Sequence, residues 1–201
     1  MRVIAGKYRG RPLKALKGQG TRPTVDRVKE SMMSAVFSAR SGRGFKEATV
    51  FDAFAGTGAL GIEALSRGAA FVQFADRARA ARAVVQDNVR ACGIEPSRWA
   101  LSGMDSFSLA DPDKASALAA SAPFDLVFLD PPYAEAPERA FALLEGLRQA
   151  GRLASDCVAV YEFDKASQSE VDAAALALEW HAASMRSFGT TAVALFRKEQ
   201  A

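Results

Sequence analysis

The sequence predicts an α/β fold: a seven-stranded, mostly parallel sheet with helices on both faces and an antiparallel hairpin at its C-terminal end. Three observations carry this. From residue 49, apolar strand-like runs alternate with amphipathic helical stretches, the rhythm of parallel strands joined by crossover helices. Three glycines, Gly56, Gly58 and Gly61, stand between the first strand and its helix. The last quarter then changes rhythm, with two strand-like runs meeting at "FGT".

Taken in order, "RVIAGKYRGRPLKAL" alternates around Gly6 and Gly10 and predicts a short twisted hairpin. After the loop "GQGTRPT", Val25, Val28, Met32, Val36 and Phe37 mark one face of a helix, with Thr24 as N-cap and Asp26 in its first turn. "TVFDAF" is a strand and "GALGIEALSRG" a helix with a glycine stop. "AAFVQFAD" (strand) and "RARAARAVVQDNVRACG" (helix) follow, then the strand "SRWALSGMD" and a helical stretch "PDKASALAASA". "FDLVFLD" is a strand, "PERAFALLEGLRQAG" a helix and "CVAVYEFD" a strand. Residues 167–176 are weakly helical, and "LALEWHAASMRS" and "TAVALFRK" form the closing hairpin. Residues 1–44 thus form a basic hairpin-and-helix extension and 45–201 the α/β domain, one compact unit overall.

Composition narrows the function. Hydrophobic residues at 49% and charged residues at 24% describe an ordinary globular chain, and no apolar run approaches the roughly 20 residues of a membrane span. The basic N-terminus has no h-region or cleavage site, and Cys92 and Cys157 lie far apart. Together these predict a reduced, cytoplasmic protein. With one histidine, His181, a histidine-rich metal site is excluded, and no metal is implied. Residues 1–30 carry a net charge of +7 within a chain of net +3, leaving a mildly acidic body. A basic arm with Tyr8 and glycines interleaved suits a polyanion such as nucleic acid, with Arg2, Lys7, Arg9 and Arg11 as candidate contacts; Arg22 and Arg27 pair on the helix surface with Asp26 or Glu30, or join those contacts, which the resemblance given below would make contacts to RNA.

The glycines fit the pattern G-x-G-x-x-G, in which a tight turn brings the backbone against a ligand at a helix N-terminus. Asp76, 20 residues after Gly56, stands where a carboxylate meets ribose hydroxyls. A dinucleotide is one reading. Two details favour another: Asp52, just before the loop, would repel a pyrophosphate but attract an amino group, and the loop has no basic residue. A ligand with adenosine and a cationic amino-acid end, as in S-adenosylmethionine, meets both.

The fourth strand leaves through Asp130-Pro131-Pro132-Tyr133. In an open parallel sheet the first and fourth strands flank the switch point, so this exit lies beside the glycine loop. Prolines extend the preceding residue and donate no hydrogen bond. Rigid acceptors beside a flat ring suit a planar base bearing an exocyclic NH2. Glu162, near the end of the fifth strand, fits either a pocket-lining or an edge role; Trp99, Trp180, Met32 and Met33 read as packing residues.

These stretches resemble the class I S-adenosylmethionine-dependent methyltransferases with a [D/N/S]-P-P-[Y/F/W] motif, and more narrowly the RsmD family, which methylates the N2 amine of a guanine in bacterial small-subunit rRNA. "RVIAGKYRGRPL" with "TRPTVDRVKESMMSAVF", then "VFDAFAGTGALGIEALSRGA", then "FDLVFLDPPY" carry the resemblance over nearly the whole chain. It implies a Rossmann-like class I methyltransferase with S-adenosylmethionine as methyl donor and 16S rRNA as substrate, within a small-subunit assembly particle, and a monomer. It also implies that Asp52, Phe54, Gly56 and Gly58 border the methionine end and that Asp105 reaches the adenine amine. Asp130 to Tyr133 would hold the guanine, and the Arg22–Arg27 segment would fold over the cofactor. One departure stands out: such families often read "VExD" at the end of the second strand, with the Glu on the ribose, where this chain has Phe74 in "QFAD", which leaves two readings: Asp76 takes over the ribose, or the ribose is held through water. The rival readings are a DNA adenine-N6 methyltransferase, an NAD-dependent oxidoreductase and a non-enzymatic RNA-binding protein.

Overall fold

The computed structural model describes residues 1–16 and 23–198, with Pro23–Arg27 described by backbone alone. The elements are α1 (Pro23–Ala39), β1 (Thr49–Asp52), α2 (Ala59–Ser66), β2 (Phe71–Ala75), α3 (Arg79–Ala91), β3 (Trp99–Ser102), α4 (Pro112–Ser116), β4 (Phe124–Leu129), α5 (Pro137–Gln149), β5 (Leu153–Asp164), α6 (Gln168–Ala177), β6 (Trp180–Phe188) and β7 (Thr191–Lys198). Among the described residues the strands form one sheet in the order β3-β2-β1-β4-β5-β7-β6. β1 to β5 run parallel, and β7 pairs antiparallel with both β5 and β6. The predicted fold class is therefore the observed one.

Strand alternation divides the core into two layers. Val50, Val72, Phe74, Leu126, Phe128, Val158 and Val160 face Ile62, Leu65, Val85 and Val89 on α2 and α3. Phe51, Val127, Leu129, Ala159, Tyr161 and Phe196 face Leu143, Leu144 and Leu147 of α5 and Val171 of α6. Each parallel strand is apolar on both sides because both sides are covered. Val3, Tyr8 and Leu13 from the N-terminal segment, and Val28, Met32, Met33 and Val36 from α1, join the first layer.

The predicted short N-terminal hairpin is present: around the antiparallel bridge of Arg2 with Pro12, Val3 N donates to Arg11 O at 3.0 Å, Gly10 N to Val3 O at 2.9 Å and Leu13 N to Met1 O at 3.1 Å. The amides left over are held from outside it. The buried Glu63 carboxylate accepts from the Ile4 and Ala5 amides at 2.8 and 3.0 Å, the Ser66 hydroxyl from Tyr8 N at 2.9 Å, and Asn88 Oδ1 from Lys14 N at 2.8 Å. These bonds staple the hairpin to α2 and α3.

Three expectations are corrected. Helix α1 starts at Pro23, one residue before the expected cap Thr24; proline at the first helical position has its φ preset and loses no needed donor. Phe37 is 55% exposed and leaves the core face assigned to it. The helix expected over "PDKASALAASA" stops at Ser116, because the Arg152 guanidinium takes the Leu118 and Ala120 carbonyls at 3.1 and 2.6 Å. No helix among the described residues is long and apolar enough to cross a membrane.

Candidate active site

The chain steps from β1 toward β3 on one side and from β4 toward β6 on the other, so the carboxyl ends of β1 and β4 form the switch point. Crevices at such points are where open α/β sheets hold ligands. Asp52 and Phe128 are paired in register there, and Ala53 N donates to Phe128 O at 3.1 Å. The glycine loop rises from β1 beside the exit of β4.

Gly56 and Gly58 hold φ of +53° and +77°, left-handed backbone that side chains disfavour by about 1 kcal/mol or more. They turn the chain sharply enough for Gly58 to begin α2 with its first N–H groups facing the crevice. Gly61 has a different reason: a Cβ there would overlap the Phe74 ring and Val72. Phe74 is fully buried under α2, so the residue at the usual acidic position is a core side chain.

Asp52 is 2% exposed and accepts from Gly61 N at 3.0 Å. Burial, outweighing that hydrogen bond and reinforced by the Asp76 charge, pushes its carboxyl up to about 7. The sequence placed Asp52 at an open cationic partner; the structure adds that one of its oxygens secures the first turn of α2. Asp76 accepts from Gly56 N at 2.9 Å with one oxygen and from Ala78 N at 2.8 Å with the other. It thus lies against the glycine loop, and each carboxylate oxygen retains a second lone pair. Asp105 caps the short helical turn after β3 through Phe107 N at 3.2 Å, and its other oxygen lies 3.7 Å from Arg77. The half-buried Phe54 packs on Phe107 at 5.0 Å between ring centroids, joining the β1 loop to the Asp105 loop. Phe107 was not anticipated; nothing local in the sequence marks it.

Beyond Leu129, Asp130 and the prolines extend outward, and the turn closes with Glu135 N on Pro132 O at 2.9 Å before α5. Asp130 is exposed at the edge of the crevice. The protein packed around it, then the charges of Glu162 and Asp52, raise its pKa well above the ordinary carboxylate range. Tyr133 is 49% exposed, and its hydroxyl lies 3.1 Å from Thr191 Oγ1 and 3.4 Å from Glu162 Oε1. Its pKa rises, chiefly by burial of the hydroxyl. Burial likewise raises Glu162, against the hydrogen bond from Tyr133. The structure therefore brings Asp52, Asp130, Glu162 and Tyr133 together. Of the two roles the sequence left open for Glu162, pocket-lining and edge, its contact with Tyr133 favours the first. Thr191 carried no signal, because it arrives through the β5–β7 pairing of Asp164 with Thr191.

Arg2, Lys7, Arg9 and Arg11 are exposed on the segment stapled over α2 and α3. Arg11 donates to Ala91 O at 2.7 Å, and the Lys7 ammonium stands 5.6 Å from the Tyr8 ring centroid. Arg22 lies outside the described residues, as does the side chain of Arg27. Among the described residues no group of three or more His, Cys, Asp or Glu side chains is placed to hold a metal ion.

The sheet order, the glycine loop after β1 and the Asp-Pro-Pro-Tyr exit after β4 define a class I methyltransferase fold. Solved structures agree. The methyltransferase yhhF of Escherichia coli, a provisional name, superposes with a TM-score of 0.76 at 27% identity, covering 99% of this chain and 98% of that one. The methylase HI0767 of Haemophilus influenzae superposes with a TM-score of 0.71 at 23% identity, over 99% and 98%. A family model described as conserved hypothetical protein 95 matches residues 1–197, and the chain belongs to that family, the RsmD family its motifs resemble. YlbH of Bacillus subtilis, provisionally named an rRNA methyltransferase, is 36% identical over 98% of this chain and 99% of its own. Ribosomal RNA small subunit methyltransferase D of Escherichia coli is 35% identical over 66% of this chain and 60% of its own length.

Proposed function

We propose that this protein transfers a methyl group from S-adenosylmethionine to the exocyclic N2 amine of a guanine in 16S rRNA, within a small-subunit assembly particle. One observation carries the reading: a half-exposed Tyr133 ring and the Asp130 carboxylate stand together at the switch point, beside the glycine loop. The names of its relatives, which specify small-subunit rRNA, support the substrate class.

The residues fit such a cofactor. Asp52 offers a second lone-pair face to an ammonium, and at Gly56 a Cβ would have only Phe54 O within 4 Å, at 3.9 Å, so the loop carries no side chain there. Asp76 and Asp105 stand at the ends of β2 and β3, where an adenosine would reach from that loop. When bound, S-adenosylmethionine supplies an electrophilic methyl group on a cationic sulfur.

The chain's own residues position the amine. Asp130 and the carbonyls beside Pro131 and Pro132 accept its two N–H bonds, while the exposed face of Tyr133 stacks on the base. Both N–H bonds then lie in the protein's grip, and the nitrogen's electron pair is aimed at the methyl carbon. As the N–C bond forms the amine proton becomes acidic, and Asp130 is placed to take it. A paired base cannot reach such a crevice, so the target guanine is unpaired or flipped out.

The test is methyl transfer from labelled S-adenosylmethionine to undermethylated small ribosomal subunits, followed by nucleoside analysis. Label in N2-methylguanosine is expected. Label in N6-methyladenine when DNA is offered, with none in the subunits, overturns the substrate. The Asp130→Ala variant should keep cofactor affinity and lose at least about 100-fold in turnover; wild-type turnover refutes the role of Asp130.

A further inference from the structure

The proposed amine pocket contains a second carboxylate that the reaction as written leaves unused. Glu162 stands beside Asp130, because β4 and β5 pair in register at Leu129 and Tyr161, the residues just before them, and its charge helps to raise the pKa of Asp130. Its position is fixed: Tyr133 Oη lies 3.4 Å from Glu162 Oε1 and is itself held 3.1 Å from Thr191 Oγ1 on β7. Among the described residues neither Glu162 nor Asp130 has a cationic partner within 4 Å. Two adjacent carboxylates thus flank an exposed aromatic ring with few donors to satisfy them.

An ionised carboxylate is an acceptor only, and two side by side complement an edge whose adjacent N–H donors favour the ionised form of both. Among the RNA bases only guanine places an exocyclic NH2 next to a ring N–H, N2 beside N1. Adenine sets its amine beside the N1 lone pair, and cytosine sets its amine beside the N3 lone pair. Those lone pairs would face a carboxylate and be repelled. A site whose polar groups are left unpaired by the wrong substrate discriminates strongly.

We infer that Glu162 selects guanine, accepting the N1–H while Asp130 holds the N2 amine. This rests on the guanine-N2 reading above. In that arrangement Tyr133 serves twice, its ring as the stacking surface and its hydroxyl as the stay that fixes Glu162.

The experiment compares wild type, Glu162→Ala, Tyr133→Phe and the double variant in methyl transfer to undermethylated small ribosomal subunits. S-adenosylhomocysteine affinity of each is measured by calorimetry. Losing an acceptor from an N–H within a charge-assisted pair lowers kcat/KM roughly 10- to 100-fold. Glu162→Ala is therefore expected to fall by that factor, Tyr133→Phe by no more than about fivefold, with S-adenosylhomocysteine affinity held within about twofold in both. Glu162→Gln, isosteric and still an acceptor, supplies the test should the alanine variant not fold, and its expected loss lies between wild type and alanine. If Glu162→Ala is no worse than Tyr133→Phe and the double variant no worse than either, Glu162 acts only by orienting the tyrosine and the inference fails. If wild-type label appears in N6-methyladenosine instead of N2-methylguanosine, the guanine reading itself has failed and the inference with it; the wild-type nucleoside analysis separates the two failures.

Discussion

Asp52 should make cofactor binding depend on pH. Its carboxyl is 2% exposed, has one hydrogen-bond donor in Gly61 N at 3.0 Å, and is raised from 3.8 to about 7, burial being the largest cause. An ammonium group binds the ionised form. About 3% of Asp52 is ionised at pH 5.5 and about 90% at pH 8, and apparent affinity scales with that fraction, a change of about 30-fold. The sign follows from the same shift. A carboxyl raised on folding opposes the folded state once ionised, so unliganded stability declines as pH rises from about 4 to about 7, by up to roughly 4 kcal/mol, and is flat above. Ligand affinity rises over the same window because the cation restores what ionisation costs. Calorimetry with S-adenosylhomocysteine, whose amino group stays protonated throughout, reads this directly. Asp52→Asn should bind more weakly at pH 8 and lose the pH dependence, while Asp130→Ala should retain it. A wild-type Kd constant within twofold from pH 5.5 to 8, or an Asp52→Asn variant that keeps the 30-fold change, refutes the reasoning.

Gly61→Ala should lower Tm by roughly 3 to 10 °C, because its Cβ would overlap Phe74 and overpacking costs about 1–3 kcal/mol. Phe74→Leu in the same chain should recover part of that loss, and thermal melts showing no coupling would remove the steric explanation. Glu63→Gln should destabilise by roughly 3 kcal/mol in urea titrations, since a buried carboxylate then no longer balances Arg67 at 2.9 Å. Hydrogen exchange should quicken first at Ile4 and Ala5, whose amides it holds; unchanged protection there would show the staple to be inert. Replacing Arg2, Lys7, Arg9 and Arg11 together by alanine should reduce the slope of log Kd against log salt for small-subunit rRNA by about 3. An unchanged slope would move the phosphate contacts elsewhere on the surface.

The parts of this architecture that were legible are those encoded within a few residues. Glycines between a strand and a helix, such as Gly56 and Gly58, permit the left-handed backbone of a tight turn, and a proline pair after an apolar run marks a strand exit, so both crevice-forming turns could be placed before any coordinates. What escaped depends on partners distant in the chain. Thr191 reaches Tyr133 only because β7 turns back along β5. The N-terminal alternation read as a hairpin and its backbone does pair with itself, but its anchorage was invisible: Glu63, Ser66 and Asn88, more than 50 residues away, hold the amides the pairing leaves over. Phe74 shows the opposite case. Its identity was plain, but only the space left by Gly61 explains why an aromatic ring can occupy that position without entering the ligand crevice.

Asn88 shows why the basic segment and the pocket work as one surface. Its buried amide donates to Thr57 O at 2.9 Å within the glycine loop and to Lys14 O at 3.1 Å, while its oxygen accepts from Lys14 N. One side chain therefore fixes the arm relative to the loop. A flexible basic tail could raise the affinity for RNA but could not direct it, because the phosphates it held would stand at no set distance from Tyr133. With the arm anchored at Glu63, Ser66 and Asn88, phosphate binding far from the reacting nitrogen can be spent on presenting one extruded base to the pocket. If the arm binds phosphates as proposed, its affinity contributes to turnover as well as to capture, and disrupting Asn88 should separate the two.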